Sequence, residues 1–106
     1  MTPRSVILRA SARRDVDEVV TRYLEEAGAQ VALGFIDALE GAFRQIADHP
    51  DSGSPRYGQE LNLPGLRSWP LKAHPHVVFY MTASGLVDVW RVLHGRRDIP
   101  AGLRER

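Results

Sequence analysis

Four basic side chains stand close together near the end of the sequence. They are Arg91, His94, Arg96 and Arg97, three guanidinium groups and an imidazole within seven residues. Arginine forks match the oxygens of phosphate groups, and histidine can move a proton near neutral pH, so the cluster could serve a metal-free ribonuclease. The structural alternative is that Arg91 pairs with Asp88 or with an acidic residue of a helix. Arg96 and Arg97 would then be solvated or would anchor the tail.

No other constellation in the sequence points to catalysis. Walker loops, dinucleotide glycine fingerprints, nucleophile elbows and zinc-protease helices are all missing. The serines fall where a cap, a turn or a strand surface explains them, so we assign no nucleophile and no catalytic residue. Asp37 and Glu40 have the ordinary spacing of a solvated helix face. His74 and His76 have no third ligand nearby, so we predict turn and strand surface rather than a metal site, and no cofactor is implied.

Length and composition are typical of one small soluble domain. The 106 residues can bury a single core, and hydrophobic residues at 43% with charged residues at 25% are ordinary for a globular protein. We therefore expect one domain over residues 1–106. The sequence has no cysteine, no signal peptide and no apolar stretch that could span a bilayer, so we expect a cytoplasmic protein.

Charge is distributed unevenly along the chain. The formal net charge is +1, yet residues 1–63 hold seven arginines and ten acidic residues, whereas residues 64–106 hold seven basic and three acidic residues. A basic C-terminal part favours an acidic partner, either a protein or a nucleic acid, through long-range attraction. A solvated surface is the alternative.

The apolar pattern predicts an N-terminal strand followed by two helices. Residues 5–9 form a short apolar run that is typical of a strand. Apolar residues then recur at helical spacing on both sides of Gly28, which indicates two helices. Ser11 offers an N-cap for the first helix, and His49-Pro50 ends the second. Because the joint at Gly28 is tight, the helices should form an antiparallel hairpin that packs on the strands.

Strand-like segments fill the C-terminal part. Residues 50–64 lack a sustained period and predict a long connecting loop. Three runs follow, at residues 66–72, 77–82 and 86–93, separated by turns short enough for an antiparallel meander. Pro70 cannot donate to a ladder, so the first of these strands should be an edge or be bulged. The fold class is therefore α+β: a strand, a helical hairpin and a three-stranded antiparallel meander.

Alternation in the last run assigns its side chains to two faces. One face should carry Val87, Val89, Arg91 and Leu93, and the other Leu86, Asp88, Trp90, Val92 and His94. A tryptophan can fill a core or anchor an interface. We expect at least one of the two tryptophans, Trp69 and Trp90, to fill the core.

Three segments together carry a family resemblance. They are residues 63–71 (LPGLRSWPL), 77–80 (VVFY) and 92–100 (VLHGRRDIP). With the order of elements along essentially the whole chain, they closely resemble the ParE toxins of the bacterial RelE/ParE toxin-antitoxin superfamily. The most specific part is LHGRRD at residues 93–98, and HPDSG at residues 49–53 resembles the turn that follows the second helix in many members.

The resemblance implies the toxin component of a type II toxin-antitoxin system. ParE-like toxins inhibit DNA gyrase and so block replication, and a ParD-like antitoxin neutralises them by wrapping its C-terminal portion around the toxin. The N-terminal ribbon-helix-helix part of such an antitoxin dimerises and binds operator DNA, so the toxin meets operator DNA only through the antitoxin. We therefore expect a hetero-oligomer of toxin and antitoxin, of the plasmid-stabilisation type.

Relatives of the RelE type instead cut messenger RNA on the ribosome, with basic residues and an aromatic residue or histidine near the end of the last strand. This chain has Arg91 and His94 there, but its one lysine is Lys72 and no tyrosine follows the last strand. The resemblance thus favours a non-enzymatic gyrase inhibitor whose exposed C-terminal segment, with Arg91, His94, Arg96 and Arg97, contacts the target. A RelE-like endonuclease and an inactive toxin that only binds its antitoxin are the alternatives.

Antitoxin contacts are expected where the helical hairpin meets the sheet edge. An amphipathic helix and an extended segment of the partner could lie in such a groove. Tyr57, Arg67 and Trp69 are the candidates, because aromatic and arginine residues commonly anchor protein interfaces. Each of them could instead have a structural role.

Overall fold

The helical hairpin lies, along the chain, between the first strand and the other strands. The computed structural model describes residues 4–104, so residues 1–3 and 105–106 of the predicted domain lie outside the described residues. In chain order the elements are β1 (Ser5–Leu8), α1 (Ala10–Glu26), α2 (Ala29–Asp48), a 3-10 turn (Pro50–Ser52), α3 (Arg56–Glu60), β2 (Arg67–Pro70), β3 (His76–Ala83), β4 (Leu86–His94) and α4 (Ile99–Arg104). The predicted α+β class is confirmed.

The strands of the described chain form one four-stranded sheet in the order β1-β4-β3-β2. The β2–β3 and β3–β4 pairs are antiparallel, as predicted for a meander, whereas β1 pairs with β4 in parallel and makes the sheet mixed. β2 is an edge strand, which confirms the expectation from Pro70. Ser68 exchanges two backbone hydrogen bonds of 2.9 Å with Ser54 on the outer side of β2. Alternation turns the nitrogen of Pro70 to that side as well, so its missing N–H costs no bond to β3.

Helices α1 and α2 pack against one face of the sheet. This core contains Ala12, Phe35, Leu39, Ala42 and Ile46 from the helices and Val78, Tyr80, Val87, Val89 and Val92 from the sheet. The joint between the helices is tight because Gly28 has a φ of 96°, a left-handed conformation that favours glycine. The predicted hairpin on the sheet is therefore confirmed. Within residues 4–104 no helix is long and apolar enough to cross a membrane.

A second apolar cluster covers the opposite face of the sheet. Its buried members are Leu66, Phe79, Trp90, Leu93, Ile99 and Leu103. Part of the cover comes from residues 50–64, where the predicted loop contains the 3-10 turn and α3. The rest comes from α4, which we did not predict. Trp90 is 6% exposed, which confirms that at least one tryptophan fills the core.

Helix α4 begins with a cap that the sequence does carry. Asp98 Oδ1 accepts the N–H of Ala101 at 3.2 Å, as an N-cap carboxylate does. Pro100 lies in the first turn, where a missing N–H leaves no intrahelical bond unmade. A helix of six residues is too short to show an apolar period, so the pattern gave no signal for it.

Strand β4 does not alternate along its whole length. Its pairing with β3 shifts between Val89 and Arg91, which leaves Trp90 as the extra residue of a β-bulge. Val89 and Val92 consequently both lie in the helical-hairpin core, whereas Trp90 and Leu93 lie in the opposite cluster. The predicted assignment of faces is therefore wrong beyond the bulge.

Candidate functional site

Beyond the end of β1, side chains of helix α1 form hydrogen bonds to the backbone of β4. β1 pairs with β4 only as far as Val89. Beyond that point the hydroxyl of Ser11 donates to the carbonyl oxygen of Trp90 at 3.2 Å. A carboxylate oxygen of Asp15 then accepts the N–H of Val92 at 3.0 Å. The prediction of Ser11 as an N-cap is wrong, because α1 already begins at Ala10 with Arg9 as its N-cap, and the Ser11 hydroxyl donates to β4 instead.

Arg91 is anchored in the interior by the same carboxylate. Its Nε and Nη2 donate to the two oxygens of Asp15 at 2.7 and 2.6 Å, and its Nη1 donates to the carbonyl oxygen of Gly102 at 2.6 Å. The side chains of the ion pair are only 6% and 5% exposed. We expected Arg91 in an exposed segment, and this prediction of exposure is wrong. The reason is that α1 places a buried carboxylate beside the bulge, and the Arg91 guanidinium neutralises it.

His94 ends β4, and Arg96 and Arg97 lie in the turn that follows it; we call these three exposed residues the basic turn. The N–H of Arg96 donates to Nδ1 of His94 at 3.1 Å, and the N–H of Arg97 donates to the carbonyl oxygen of His94 at 3.0 Å. Gly95 N–H donates to the carbonyl oxygen of Pro75 at 2.7 Å and so ties the turn to the start of β3. Because Nδ1 of His94 accepts a hydrogen bond, Nε2 carries the proton of the neutral ring.

The basic turn lines a groove of about 680 Å³ beside α1. Helix α1 contributes Glu18, Arg22 and Tyr23 to this groove, and β3 contributes His76. We did not link these residues to the basic turn from the sequence. The sequence did indicate that these α1 residues share one face, because Asp15, Glu18 and Arg22 recur at helical spacing and so lie along one stripe of the helix.

His76 is buried although we predicted it at the surface. It is 7% exposed, and its ring lies 5.2 Å from the ring of Phe35 in α2 and 5.4 Å from the ring of His94. Burial, reinforced by the nearby His94, His74 and Arg22, lowers the pKa of His76 to about 4, so the ring is neutral at neutral pH. The surface prediction is wrong because β3 starts beneath the helical hairpin.

The groove presents guanidinium and imidazole groups together with the carboxylate of Glu18. Nδ1 of His74 lies 3.3 Å from the hydroxyl of Tyr23, so His74 already has a partner of its own. Within residues 4–104, no three His, Cys, Asp or Glu side chains are grouped to hold a metal ion. Arginines bind anions through paired N–H donors, and an exposed imidazole such as that of His94 can exchange a proton.

The candidate antitoxin contacts lie on two sides of the sheet. Trp69 belongs to the edge strand β2 and packs, half-buried, against the helical-hairpin core. Arg67 precedes it in β2 and donates to the carbonyl oxygens of Asp51 and Gly53 at 3.1 and 2.7 Å, so it also holds the 3-10 turn. Tyr57 of α3 packs with the opposite cluster. Of these three residues, Arg67 and Trp69 lie where the hairpin meets the sheet edge.

Comparisons with known proteins cover almost the whole chain. A family model described as the ParE toxin of a type II toxin-antitoxin system, parDE, matches residues 6–99. Toxin ParE1 of Mycobacterium tuberculosis is 32% identical over 98 residues, which cover 92% of this chain and 95% of that protein. Toxin ParE3 of Caulobacter vibrioides is 30% identical over 92 residues, which cover 87% of each.

A solved structure shares the fold. It is the chromosomal ParDE TA system from P. aeruginosa, which matches with a TM-score of 0.72 and covers 86% of this chain and 95% of that chain. At 17% identity this likeness shows the fold alone. The family match over residues 6–99 and the two relatives extend the likeness to the sequence. The chain therefore belongs to the ParE toxin family and is the toxin of a ParDE type II toxin-antitoxin system.

Proposed function

We propose that this toxin inhibits DNA gyrase, and so blocks replication, without being an enzyme. The observation that carries the proposal is the match to the ParE toxin model over residues 6–99. The chain would act in the cytoplasm as one domain, with no cofactor and no metal ion. Its partner would be a ParD-like antitoxin whose ribbon-helix-helix part binds operator DNA; the P. aeruginosa relative, a ParDE system, supports such a partner.

Contact with gyrase or its DNA complex is assigned to the basic turn. His94, Arg96 and Arg97 are exposed within the basic C-terminal part of the chain, residues 64–106. Long-range attraction would draw such a turn toward a phosphate-rich target. Arg91 would contribute indirectly, because its ion pair with Asp15 fixes the end of β4 from which the turn leaves.

A gyrase supercoiling and cleavage assay with purified toxin tests the proposal. We expect the intact toxin to inhibit supercoiling and to stabilise cleaved DNA. The double variant Arg96→Gln/Arg97→Gln should lose at least about tenfold in potency, which corresponds to about 1.4 kcal/mol of binding energy. The matched control is Arg13→Gln/Arg14→Gln, which removes the same charge from exposed positions of α1. Equal losses in both variants would assign the effect to net charge rather than to the turn.

The groove also supports a second candidate, a RelE-like ribosome-dependent endonuclease. The observation in its favour is that His94, Glu18, Arg22 and Arg96 line one groove, which brings proton-transfer groups beside phosphate-binding groups. An RNA cleavage assay with ribosomes, run beside the gyrase assay, separates the candidates. If the endonuclease is correct, His94→Ala keeps the fold and abolishes cleavage.

Expression without the antitoxin gives an independent test in cells. Gyrase inhibition should cause filamentation and DNA damage signalling while translation continues. An early stop of translation with cleaved messenger RNA would overturn the inhibitor proposal in favour of the endonuclease. Harmless overexpression with intact antitoxin binding would instead identify an inactive toxin that only binds its partner.

A further inference from the structure

One polar atom in the wall of the groove is left without a partner. Among the residues that the structure describes, nothing hydrogen-bonds to Nδ1 of His76, although this atom is inaccessible to solvent. A buried polar group without a hydrogen bond costs about 1 to 3 kcal/mol, and proteins retain few of them. His76 is among the residues that line the groove. Contact with an incoming molecule is therefore open to the exposed edge of the ring, whereas Nδ1 itself is covered.

Two guanidinium groups of the groove also lack a partner among the described residues. Within residues 4–104, Arg22 and Arg96 form no ion pair and no side-chain hydrogen bond, and both are exposed. Of the two groove carboxylates, Asp15 is neutralised by Arg91, which leaves Glu18. Arg97 adds a third guanidinium to the lining. Arg22 and Arg96 outnumber Glu18, so the groove has a surplus of positive charge that an anionic ligand can balance.

Hydrogen-bond donors and apolar surface share this groove. Nε2 of His94 carries a proton, because Nδ1 accepts the N–H of Arg96 at 3.1 Å. Val19 and Val92 line the groove beside these polar groups, and so does the half-buried ring of Tyr23. Sites for small organic ligands combine apolar walls with a few convergent polar groups and usually enclose about 300 to 1,000 Å³. A volume of about 680 Å³ lies within that range.

We propose that the groove binds a phosphate group carried by a nucleotide, held by Arg22, Arg96 and His94. His76 and the apolar wall contact the sugar or base. A phosphate is favoured over a carboxylate because its tetrahedral oxygens offer acceptors to guanidinium groups on several sides, whereas the two oxygens of a carboxylate lie in one plane. The nucleotide is either free or part of a nucleic acid strand, since the phosphate chemistry is shared. This inference holds whether or not the toxin's target is gyrase.

Calorimetric titration of the purified chain tests the proposal with four probes: inorganic phosphate, thymidine 5′-monophosphate, a dithymidine dinucleotide and succinate. At least one nucleotide probe should bind more tightly than inorganic phosphate and succinate. Tighter binding of the monophosphate points to a free nucleotide, and tighter binding of the dinucleotide points to a strand. The proposal is overturned if no probe binds, or if succinate or inorganic phosphate binds as well as the nucleotides.

Matched variants locate the binding. Arg22→Gln and Arg96→Gln should each weaken nucleotide binding by about tenfold, the size of a lost charge-assisted hydrogen bond. Arg13→Gln is the control, because it removes the same charge from an exposed position of α1 that lies outside the groove lining. His76→Phe keeps the ring packing and should also weaken binding. An equal effect of Arg13→Gln would show diffuse attraction and would count against a site in the groove.

Nuclear magnetic resonance gives a second readout, which reports where the nucleotide binds rather than how tightly. The ring signals of His76 and His94 should shift when the nucleotide is added. The ring of His49, which lies outside the groove lining, serves as the reference. If the His49 ring shifts while the groove rings do not, the nucleotide binds elsewhere and the proposal is wrong.

Discussion

The carboxylate of Asp15 and the guanidinium of Arg91 form a buried bidentate ion pair although 76 residues separate them along the chain. The carboxylate also accepts the N–H of Val92, and the guanidinium also donates to Gly102. Such additional bonds offset the cost of removing both charges from water. The pair thus joins α1, β4 and α4 at the base of the basic turn.

Replacing Asp15 by Asn should strongly destabilise the fold. The variant keeps the shape of the side chain but leaves the Arg91 guanidinium buried without its counter-charge. Breaking a buried pair in this way costs about 3 to 5 kcal/mol. Urea denaturation measures the loss in the free energy of unfolding. Asp17→Asn, an exposed position on the same helix, should change it by less than about 0.5 kcal/mol. Similar losses in the two variants would contradict a special role for the ion pair.

The partner of Arg91 shows what the sequence could and could not supply. A pairing with an acidic residue of a helix was among the alternatives. Identifying Asp15 as the partner would have required two features that leave no sequence signal, the early end of β1 and the bulge at Trp90. Both depend on how distant strands pair, and local periodicity carries no information about that register.

Gly58 should tolerate no side chain. A Cβ at this position would lie 2.6 Å from the carbonyl oxygen of Leu66 and 2.8 Å from that of Leu63. Because these are backbone atoms, they cannot move aside as a flexible side chain does, and overpacking of this kind costs about 1 to 3 kcal/mol. Thermal unfolding of Gly58→Ala should therefore show a clear loss of stability.

Gly34 provides the matched control for that substitution. Nothing lies within 4 Å of a Cβ built there, and the residue is exposed in α2. Alanine is favoured over glycine in a helix by about 0.5 to 1 kcal/mol, so Gly34→Ala should stabilise the protein. A loss of stability in Gly34→Ala, or a gain in Gly58→Ala, would contradict the packing around these two glycines.

Long periodic elements were predictable from the sequence, whereas the two short helices α3 and α4 were not. The helices on either side of Gly28 and the C-terminal meander follow from apolar spacing over many residues. α3 and α4 have five and six residues, fewer than two full turns. Helices this short are stabilised by tertiary packing, here against the second face of the sheet. The groove was not predictable from the sequence either, because only tertiary packing brings Arg22 of α1 beside His94 and Arg96 of the basic turn.

Stability should fall in mild acid because of His76. Its pKa in the folded state is about 4, below the ordinary value of 6.5, so the unfolded chain binds the proton more tightly. The contribution of the neutral ring is complete above the unfolded pKa and is lost as the pH falls from about 6.5 toward about 4. His94, His74 and Arg22 act in the same direction, since protonated His76 would face their positive charge.

Two measurements check the role of His76. The ring signals in nuclear magnetic resonance should report a midpoint near 4 rather than near 6.5. Urea denaturation across that pH range should show a smaller acid-induced loss in the free energy of unfolding for His76→Phe than for the unmodified protein, because the variant lacks the titrating ring. Some loss remains in the variant, because carboxylates titrate in both proteins. A midpoint near the ordinary value would contradict the buried neutral ring.

Trp69 should separate antitoxin binding from target binding. It lies half-buried at the sheet edge beside the helical hairpin, on a different element from the basic turn. If the antitoxin docks there, Trp69→Ala removes an aromatic anchor, and such anchors contribute about 2 kcal/mol or more. Calorimetry with the cognate antitoxin should show this loss while gyrase inhibition is kept, and circular dichroism verifies the fold. Tyr57→Ala, on the opposite face of the sheet, provides the comparison. A larger loss in Tyr57→Ala would place the antitoxin on that opposite face instead.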